Sequence, residues 1–154
     1  MKGSERKVKN IFVEGAIAPE FIAESIRKHS TKLDIGAHEI FLGQVRADKK
    51  NSSSDGEGSV GSIVYSAYED MALARMHDIR EEVFDRYPIT CMHVYHSLGE
   101  VKAGELCFFV FASSEHRKVA REAVAELVDR IKEELPIFGK EVLESGEHTW
   151  KVNS

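Results

Sequence analysis

Residues 113–141 read SSEHRKVAREAVAELVDRIKEELPIFGKE, and this stretch carries the strongest structural signal in the chain. Apolar residues recur in it at spacings of three and four, the period of an amphipathic α-helix. The residues that share this stripe are Val119, Ala120, Ala123, Val124, Leu127, Val128 and Ile131. We therefore predict a long helix with one buried face, with the basic residues His116, Arg117 and Lys132 near its two ends.

The predicted helix is too long for both of its ends to reach one small molecule. Sixteen residues separate His116 from Lys132, and at about 1.5 Å per residue they span roughly 24 Å. If these residues bind one anionic ligand, two copies of the chain must form the site together, as in a symmetric dimer. Basic residues at helix ends also occur as solvated groups or as partners of the helix dipole, and the spacing alone leaves both interpretations open.

Length and composition favour one domain without a nucleic-acid or membrane partner. The chain has 154 residues, 42% of them hydrophobic, which suffices for one core but not for two sizeable domains. We therefore predict a single domain over residues 1–154. The formal net charge of −5 disfavours a broad nucleic-acid interface, which needs a basic face. No apolar run approaches the roughly eighteen residues of a membrane span, so we predict no membrane partner and a cytoplasmic location.

The sequence lacks the common motifs of metal and nucleophile chemistry. Cys91 and Cys107 lie in apolar, strand-like runs without CxxC spacing, which predicts small core residues. No HExxH, GxSxG or paired-cysteine pattern occurs, and no GxxxxGK[ST] phosphate loop. These absences disfavour the commonest hydrolases and metalloenzymes, and we predict no metal ligands.

The order of the elements predicts an α+β fold. Strands are predicted at residues 8–13, 37–45, 62–68, 89–95 and 106–112, with a short one at Trp150. A first helix begins near Pro19, and a second, ended by Pro88, has the stripe Ala72, Met76, Ile79, Val83 and Tyr87. Residues 99–104 predict a turn, and Phe108, Phe109 and Phe111 predict the centre of a sheet. Paired strands without an intervening helix favour an α+β sandwich over a doubly wound nucleotide fold.

A long polar segment separates two of these strands. Residues 47–61 are rich in serine and glycine and have no apolar periodicity, which predicts a mobile loop in the free protein. Arg46 directly precedes this loop. The segment is therefore either a functional lid or a tolerated insertion, and the sequence leaves both open.

Several short motifs occur together in an order that is typical of one known family. They are Phe41-Leu42-Gly43-Gln44-Val45-Arg46, Tyr68-Glu69-Asp70-Met71-Ala72, His96 with Leu98-Gly99-Glu100, Gly104-Glu105, Ser114-Glu115-His116-Arg117, Lys132, Pro136-Ile137-Phe138, Lys140-Glu141 and Trp150. In this order and spacing the chain resembles the large, catalytic subunit of molybdopterin synthase. The resemblance extends over residues 8–150, nearly the whole chain.

This resemblance implies an α/β hammerhead-type fold with a mostly antiparallel sheet and packed helices. It implies a homodimer that binds one small ubiquitin-like subunit at each end, giving a heterotetramer. In that family the small subunit carries a C-terminal thiocarboxylate, which delivers sulfur to cyclic pyranopterin monophosphate and forms the dithiolene of molybdopterin. The implied function is a sulfurtransferase of molybdenum cofactor biosynthesis that needs no cofactor of its own.

The resemblance also assigns substrate-binding residues. Gln44, Val45 and Arg46 match the strand end of the family that contacts the substrate. A guanidinium group such as that of Arg46 suits a bidentate grip on phosphate. His116 and Arg117 match a pair that reaches the substrate from the neighbouring subunit, at a helix start whose backbone N–H groups favour an anion.

The catalytic assignment centres on Lys132, which matches the family's catalytic lysine. After the proline and one apolar residue, the family commonly has an aromatic residue followed directly by a second lysine, whereas this chain has Gly139 at the position of that lysine. Lys140 is one residue further on and is predicted to supply the missing charge as a second catalytic lysine. Gly139, Lys140 and Glu141 are also predicted, together with Lys132, to bind substrate.

Two other functions stay open at this point. The first is a dimeric platform that holds the ubiquitin-like partner but turns over poorly, because Gly139 replaces a basic residue. The second is a different anion-binding enzyme that uses cysteine chemistry. Exposed, reactive thiols would favour this second alternative.

Overall fold

The computed structural model describes residues 9–50 and 58–151. Its elements, in chain order, are β1 (Phe12–Glu14), α1 (Pro19–Lys28), a 3-10 turn (His29–Thr31), β2 (Ala37–Gln44), β3 (Lys49–Lys50), β4 (Gly58–Ala67), α2 (Glu69–Arg86), β5 (Cys91–Lys102), β6 (Leu106–Ser114), α3 (Arg117–Glu134), β7 (Ile137–Leu143) and β8 (His148–Trp150). This succession of helices and strands confirms the predicted α+β class.

The strands form one mostly antiparallel sheet. Its order is β2-β6-β5-β4-β7-β8, with β1 beside β5 and β3 beside β4. Only the pairing of β1 with β5 is parallel among the described strands. Phe109 of β6 lies between Leu42 of β2 and Tyr95 of β5, which confirms that the phenylalanine run is at the centre of the sheet.

Both faces of the sheet are covered, because side chains alternate along each strand. On one side, which we call the α1 face, Phe109 and Phe111 pack with Ile17 and Ile22. On the other side, which we call the α2/α3 face, Phe108 belongs to the larger core formed with α2 and α3. The sheet therefore separates two apolar layers.

Helix α3 is the helix that the apolar stripe predicts. Its buried residues are Ala120, Ala123, Val124, Leu127, Val128 and Ile131. The helix begins after His116, whose backbone is extended, and its last residue is Glu134. Leu135 precedes Pro136 and adopts the extended conformation, because the proline ring disfavours helical geometry in the residue before it.

Two strand predictions are wrong. Residues 99–104 do not form one turn, because β5 continues to Lys102 and the reversal occurs at residues 103–105, where Gly104 has a φ of +92°. Residues 137–143 form β7, which the sequence did not predict. Gly139 and the charged Lys140 and Glu141 interrupt its apolar pattern, and pairing with β4 stabilises it as a strand.

The predicted loop at residues 47–61 is partly ordered as sheet. β3 occupies Lys49–Lys50 and pairs with the start of β4 at Gly58. Residues 51–57 lie outside the described residues, so the mobility of this loop stays a prediction. Val8, the first residue of the first predicted strand, also lies outside the described residues. The described part of that predicted strand contains the start of β1. Among the described helices, none combines the length and apolar character needed to cross a membrane.

We expect Leu127→Ala to lower the free energy of unfolding by about 2–5 kcal/mol, because a fully buried leucine leaves a cavity when it is truncated. Leu33→Ala is the matched control, since Leu33 is 92% exposed and its truncation should change the same quantity by less than about 0.5 kcal/mol. Chemical denaturation of both variants measures the difference. Similar costs at the two positions would contradict the packing of α3 on the sheet.

Candidate active site

A cavity of about 280 Å³ opens between the sheet and the C-terminal end of α3. Its lining includes residues 41–46 at the end of β2, the last turn of α3, and parts of β4 and β7. The pairing of β2 with β6 shifts register between Gly43 and Gln44, where the strand ends at the cavity. This volume is close to the lower end of the range for small-molecule sites. The cavity is therefore the candidate active site.

Three basic residues from different elements line this cavity. They are Arg46 after β2, Lys132 in the last turn of α3, and Lys151 after β8. Two carboxylates, those of Asp48 and Glu141, also line it. Clustered positive charge in a cavity attracts anions, so the arrangement suits a negatively charged ligand.

Lys132 is half-buried, and its Nζ lies 5.8 Å from the centroid of the Phe108 ring, within the range of cation–π interactions. Burial lowers the pKa of Lys132, the positive charges of Lys151 and Arg46 lower it further, and Cys107 acts in the opposite direction. An anionic ligand would offset the desolvation of this ammonium group and the repulsion from its neighbours. The electrostatic environment of Lys132 thus favours the binding of an anion.

The strand end that the sequence predicts as substrate-binding lies at the cavity. Gln44, Val45 and Arg46 all line it. Val45 is buried, and its backbone N–H donates to the carbonyl oxygen of Glu105 (3.0 Å), which fixes the backbone between its two neighbours. Arg46 is exposed, with its Nε 3.2 Å from Oδ1 of Asp48. Because exposed ion pairs are weak, a bound anion can compete with Asp48 for this guanidinium group.

Three side chains of the cavity wall, those of His96, Tyr65 and Cys107, are buried and uncharged. Nδ1 of His96 donates to the carbonyl oxygen of Ser97 (2.8 Å). Burial lowers the pKa of His96 to about 4, although this hydrogen bond acts in the opposite direction. The Tyr65 hydroxyl donates to Sγ of Cys107 (3.4 Å), and burial raises the pKa of both groups. These side chains are therefore neutral at neutral pH.

Both thiols are buried, as the sequence predicts for Cys91 and Cys107. Cys107 lines the cavity, but burial raises its pKa and so keeps the thiol protonated. The reactive nucleophile of cysteine chemistry is the thiolate. The geometry therefore gives no support to the alternative enzyme that uses a cysteine.

Comparison with known proteins establishes the family. The sequence model of the MoaE protein family matches residues 16–134. The molybdopterin synthase catalytic subunit of Pyrococcus abyssi is 38% identical over 108 residues, which are 70% of this chain and 69% of that protein. The chain belongs to the MoaE family of molybdopterin synthase catalytic subunits. Drosophila relatives with the same name are longer, and the match spans about a third of their length.

Solved structures of this family share the fold. The crystal structure of molybdopterin synthase from Staphylococcus aureus superposes with a TM-score of 0.76 at 26% identity, covering 96% of this chain and all (100%) of that one. A complex of subunits 1 and 2 of molybdopterin-converting factor from Helicobacter pylori contains a chain with a TM-score of 0.74 at 19% identity, covering 90% and 87% of the two chains. The predicted fold class is thereby confirmed.

The MoaE cavity does not contain Lys140, contrary to the prediction from the sequence. The residues of β7 that line the cavity are Ile137, Gly139 and Glu141. Because side chains alternate along a strand, Lys140 faces the opposite side of β7. A Cβ atom on Gly139 would lie 2.9 Å from Cγ2 of Ile63 and 3.1 Å from Cε1 of Tyr65. The position where the family commonly has lysine is therefore filled by neighbouring side chains in this chain.

His116 and Arg117 lie at the opposite end of α3 and do not line the cavity of the same chain. His116 is exposed, with its Nε2 3.7 Å from a carboxylate oxygen of Glu115. At about 1.5 Å per residue, the helix separates it from Lys132 by roughly 24 Å. One copy of the chain thus brings together Arg46 and Lys132 but not the predicted His-Arg pair.

Lys151 is the residue that the sequence interpretation missed. It follows β8 directly, and its backbone N–H donates to the carbonyl oxygen of Gly139 (2.8 Å). Its charge lowers the pKa of Lys132 and of His96, which shows that it lies near both. The only sequence signal was its position next to Trp150, because its approach to Gly139 arises from the pairing of β8 with β7.

The depressed pKa of His96 predicts an acid-sensitive fold. Below the ordinary pKa of 6.5 the unfolded chain binds a proton that the folded His96, with a pKa of about 4, does not. Stability should therefore fall as the pH decreases from about 6.5 to about 4, by about 1.4 kcal/mol per unit of pKa difference. Denaturation of His96→Asn across this range should show a smaller pH dependence than wild type. His148→Asn, at an exposed position, should retain the wild-type slope, and an unchanged slope in His96→Asn would contradict the assignment.

Proposed function

We propose that this chain transfers sulfur from the thiocarboxylated C-terminus of a small ubiquitin-like subunit to cyclic pyranopterin monophosphate. The observation that carries the proposal is the half-buried Lys132 in a cavity shared with Arg46 and Lys151. Membership of the MoaE family supports an enzyme of molybdopterin biosynthesis. The anionic phosphate of the proposed substrate matches the positive charge of the cavity.

Each basic residue has a distinct role in this proposal. Lys132 stabilises the negative charge that develops as the thiocarboxylate sulfur bonds to the pterin and the cyclic phosphate opens. Arg46, at the mouth of the cavity, presents a planar guanidinium group to phosphate oxygens. The neutral His96 and Tyr65 bury the inner end of the ligand without adding a competing charge. The transfer needs no metal or organic cofactor, because the sulfur arrives on the partner.

A second copy of the chain completes the proposed site. His116 and Arg117 lie too far from Lys132 to reach the same ligand within one chain, by roughly 24 Å of helix. In a homodimer, the start of α3 from the second copy would contribute these two residues to phosphate binding. The exposed position of His116 is compatible with such an intermolecular role.

The proposed small subunit has a candidate docking surface of three exposed aromatic residues. Tyr68, Phe138 and Trp150 are exposed by 64%, 42% and 65%, and the rings of Tyr68 and Phe138 pack edge to face at 5.5 Å. Exposed aromatic groups of this kind are typical of protein interfaces. The two-subunit complex from Helicobacter pylori supports such a partner, and binding at both ends of a homodimer would give a heterotetramer.

Lys132→Ala should lower the rate of molybdopterin formation by about 10²–10³-fold, because it removes a charge that acts in the transition state. The assay combines the purified chain with thiocarboxylated small subunit and cyclic pyranopterin monophosphate. Affinity for the small subunit, measured separately by calorimetry, should change by less than about twofold, since the aromatic surface is untouched. Lys28→Ala, an exposed lysine at the end of α1, is the control and should retain full turnover.

Two outcomes would contradict this function. Equal turnover by wild type and Lys132→Ala would remove Lys132 from catalysis. No product from wild type, despite demonstrated binding of the small subunit, would favour the binding platform that the sequence left open. These results distinguish a sulfurtransferase from a binding platform, because binding of the small subunit and turnover are measured independently.

Lys151 is proposed to supply the charge that Gly139 lacks. It lies opposite Gly139 across the β7–β8 pairing and on the cavity side, whereas Lys140 lies on the other side of β7. Lys151→Ala should therefore raise KM for cyclic pyranopterin monophosphate by about 10-fold, the equivalent of one charge-assisted hydrogen bond. Lys140→Ala is the matched control and should change KM by less than about twofold. A larger effect from Lys140→Ala would restore the assignment made from the sequence.

A further inference from the structure

A second cluster of chemically active side chains lies on the α1 face, on the other side of the sheet from the cavity. Cys91 and His93 are two residues apart on β5, so their side chains project to the same face. His29, in the 3-10 turn after α1, meets them there. The ligand atoms of the three residues all lie within 4.8 Å of one another. Because the residues come from separate segments, no spacing motif reveals the cluster in the sequence.

The hydrogen bonds of His29 orient it as a metal ligand is oriented. Its Nδ1 lies 2.7 Å from the carbonyl oxygen of Ser25, and a carbonyl can only accept, so Nδ1 carries the proton. The lone pair of His29 is therefore on Nε2, which points at Nε2 of His93 at 3.0 Å. A backbone carbonyl that fixes the tautomer through one ring nitrogen is the usual second partner of a metal-bound histidine.

The distances in the cluster are near those of a tetrahedral zinc site. With Zn–N bonds of about 2.0–2.1 Å, two histidine nitrogens on one ion lie roughly 3.3 Å apart. The observed separation of 3.0 Å between the two Nε2 atoms requires only a small movement of one ring. A Zn–S bond of about 2.3 Å needs an S···N separation of roughly 3.6 Å. Because the ligand atoms lie within 4.8 Å of one another, Sγ of Cys91 must approach the histidine nitrogens by at most roughly 1.2 Å.

The ligand types in the cluster indicate which metal ion it would bind. Lys9 and Arg80 lie close enough to interact electrostatically with this cluster, and Lys9 interacts with Cys91 directly. One thiolate and two neutral imidazoles are a soft and borderline ligand set that suits zinc rather than magnesium or calcium. Water is assigned to the fourth position, since the group of closely spaced ligand atoms consists of His29, Cys91 and His93.

We propose that His29, Cys91 and His93 bind one Zn²⁺ ion, which ties the end of α1 to β5. The ion would connect two elements on the α1 face and would take no part in the chemistry of the cavity. Binding releases the proton of the Cys91 thiol to solvent, shifts the proton of His93 from Nε2 to Nδ1, and replaces the hydrogen bond between the two histidines. This site is independent of the proposed sulfur transfer.

The test is a titration of the untagged, metal-free chain with Co²⁺, followed by displacement with Zn²⁺. Tetrahedral Co²⁺ bound to a thiolate has visible and near-ultraviolet absorption bands that octahedral Co²⁺ in water lacks. We expect these bands to saturate at one equivalent per chain. Cys91→Ser should abolish the thiolate band, and His93→Ala should weaken binding by more than about 10-fold. Cys107→Ser is the matched control, since this thiol lies at the cavity, and its titration should equal that of wild type.

Three results would overturn the proposal: no tetrahedral Co²⁺ spectrum in wild type, a thiolate band that persists in Cys91→Ser, or loss of the band in Cys107→Ser alone. Circular dichroism of each variant shows whether the chain is folded. Zn²⁺ should also raise the melting temperature of wild type but not of Cys91→Ser, which provides a second readout. Neither measurement involves turnover, so failure of the zinc site and failure of the proposed function are distinguishable.

Discussion

The burial of strand β6 on both of its faces is the constraint on which the rest of the structure depends. Every residue from Cys107 to Ser114 is buried, and the strand pairs with β2 on one edge and β5 on the other. Because alternate side chains face opposite sides, one strand organises both layers. Phe109 and Phe111 anchor the α1 face, while Phe108 packs in the α2/α3 core beneath Lys132. The cavity and the cluster of His29, Cys91 and His93 therefore lie on opposite faces of the sheet.

The sequence predicted those parts of the structure that depend on local pattern. The apolar stripe of α3 repeats with the period of a helix, so its buried residues could be identified without any knowledge of its neighbours. Strand β7 has no such pattern, because Gly139 and Glu141 face a polar cavity rather than an apolar core. Its conformation comes from hydrogen bonds to β4, which is distant in sequence. Local periodicity in the sequence does not predict pairing between strands that are distant along the chain.

The candidate site was likewise predictable only in part. Arg46 and Lys132 follow from family motifs and both line the cavity, whereas Lys140 was assigned by its nearness in sequence to Gly139. In a β-strand, the residue next to Gly139 in sequence faces the opposite side of the sheet. The residue nearest to Gly139 in space on the same side belongs to the neighbouring strand. Tyr65 occupies the space beside Gly139 that a lysine stem would need, and Lys151 approaches from β8. The positive charge beside Gly139 at the cavity therefore comes from Lys151 in this chain.

The length of α3 connects this cavity to the assembly of the protein. Helix α3 has 18 residues and a continuous buried stripe, so packing on the sheet holds it as one rigid element. Its C-terminal turn positions Lys132 in the cavity, and its start, with His116 and Arg117, lies roughly 24 Å away. No local rearrangement of side chains closes such a distance. In the proposed function, a single copy therefore holds the charge that acts on the reacting atoms, while the phosphate contacts of the His-Arg pair require a second copy. Substrate binding and dimer formation are linked in this proposal, because a ligand that engages both ends of α3 also stabilises the dimer.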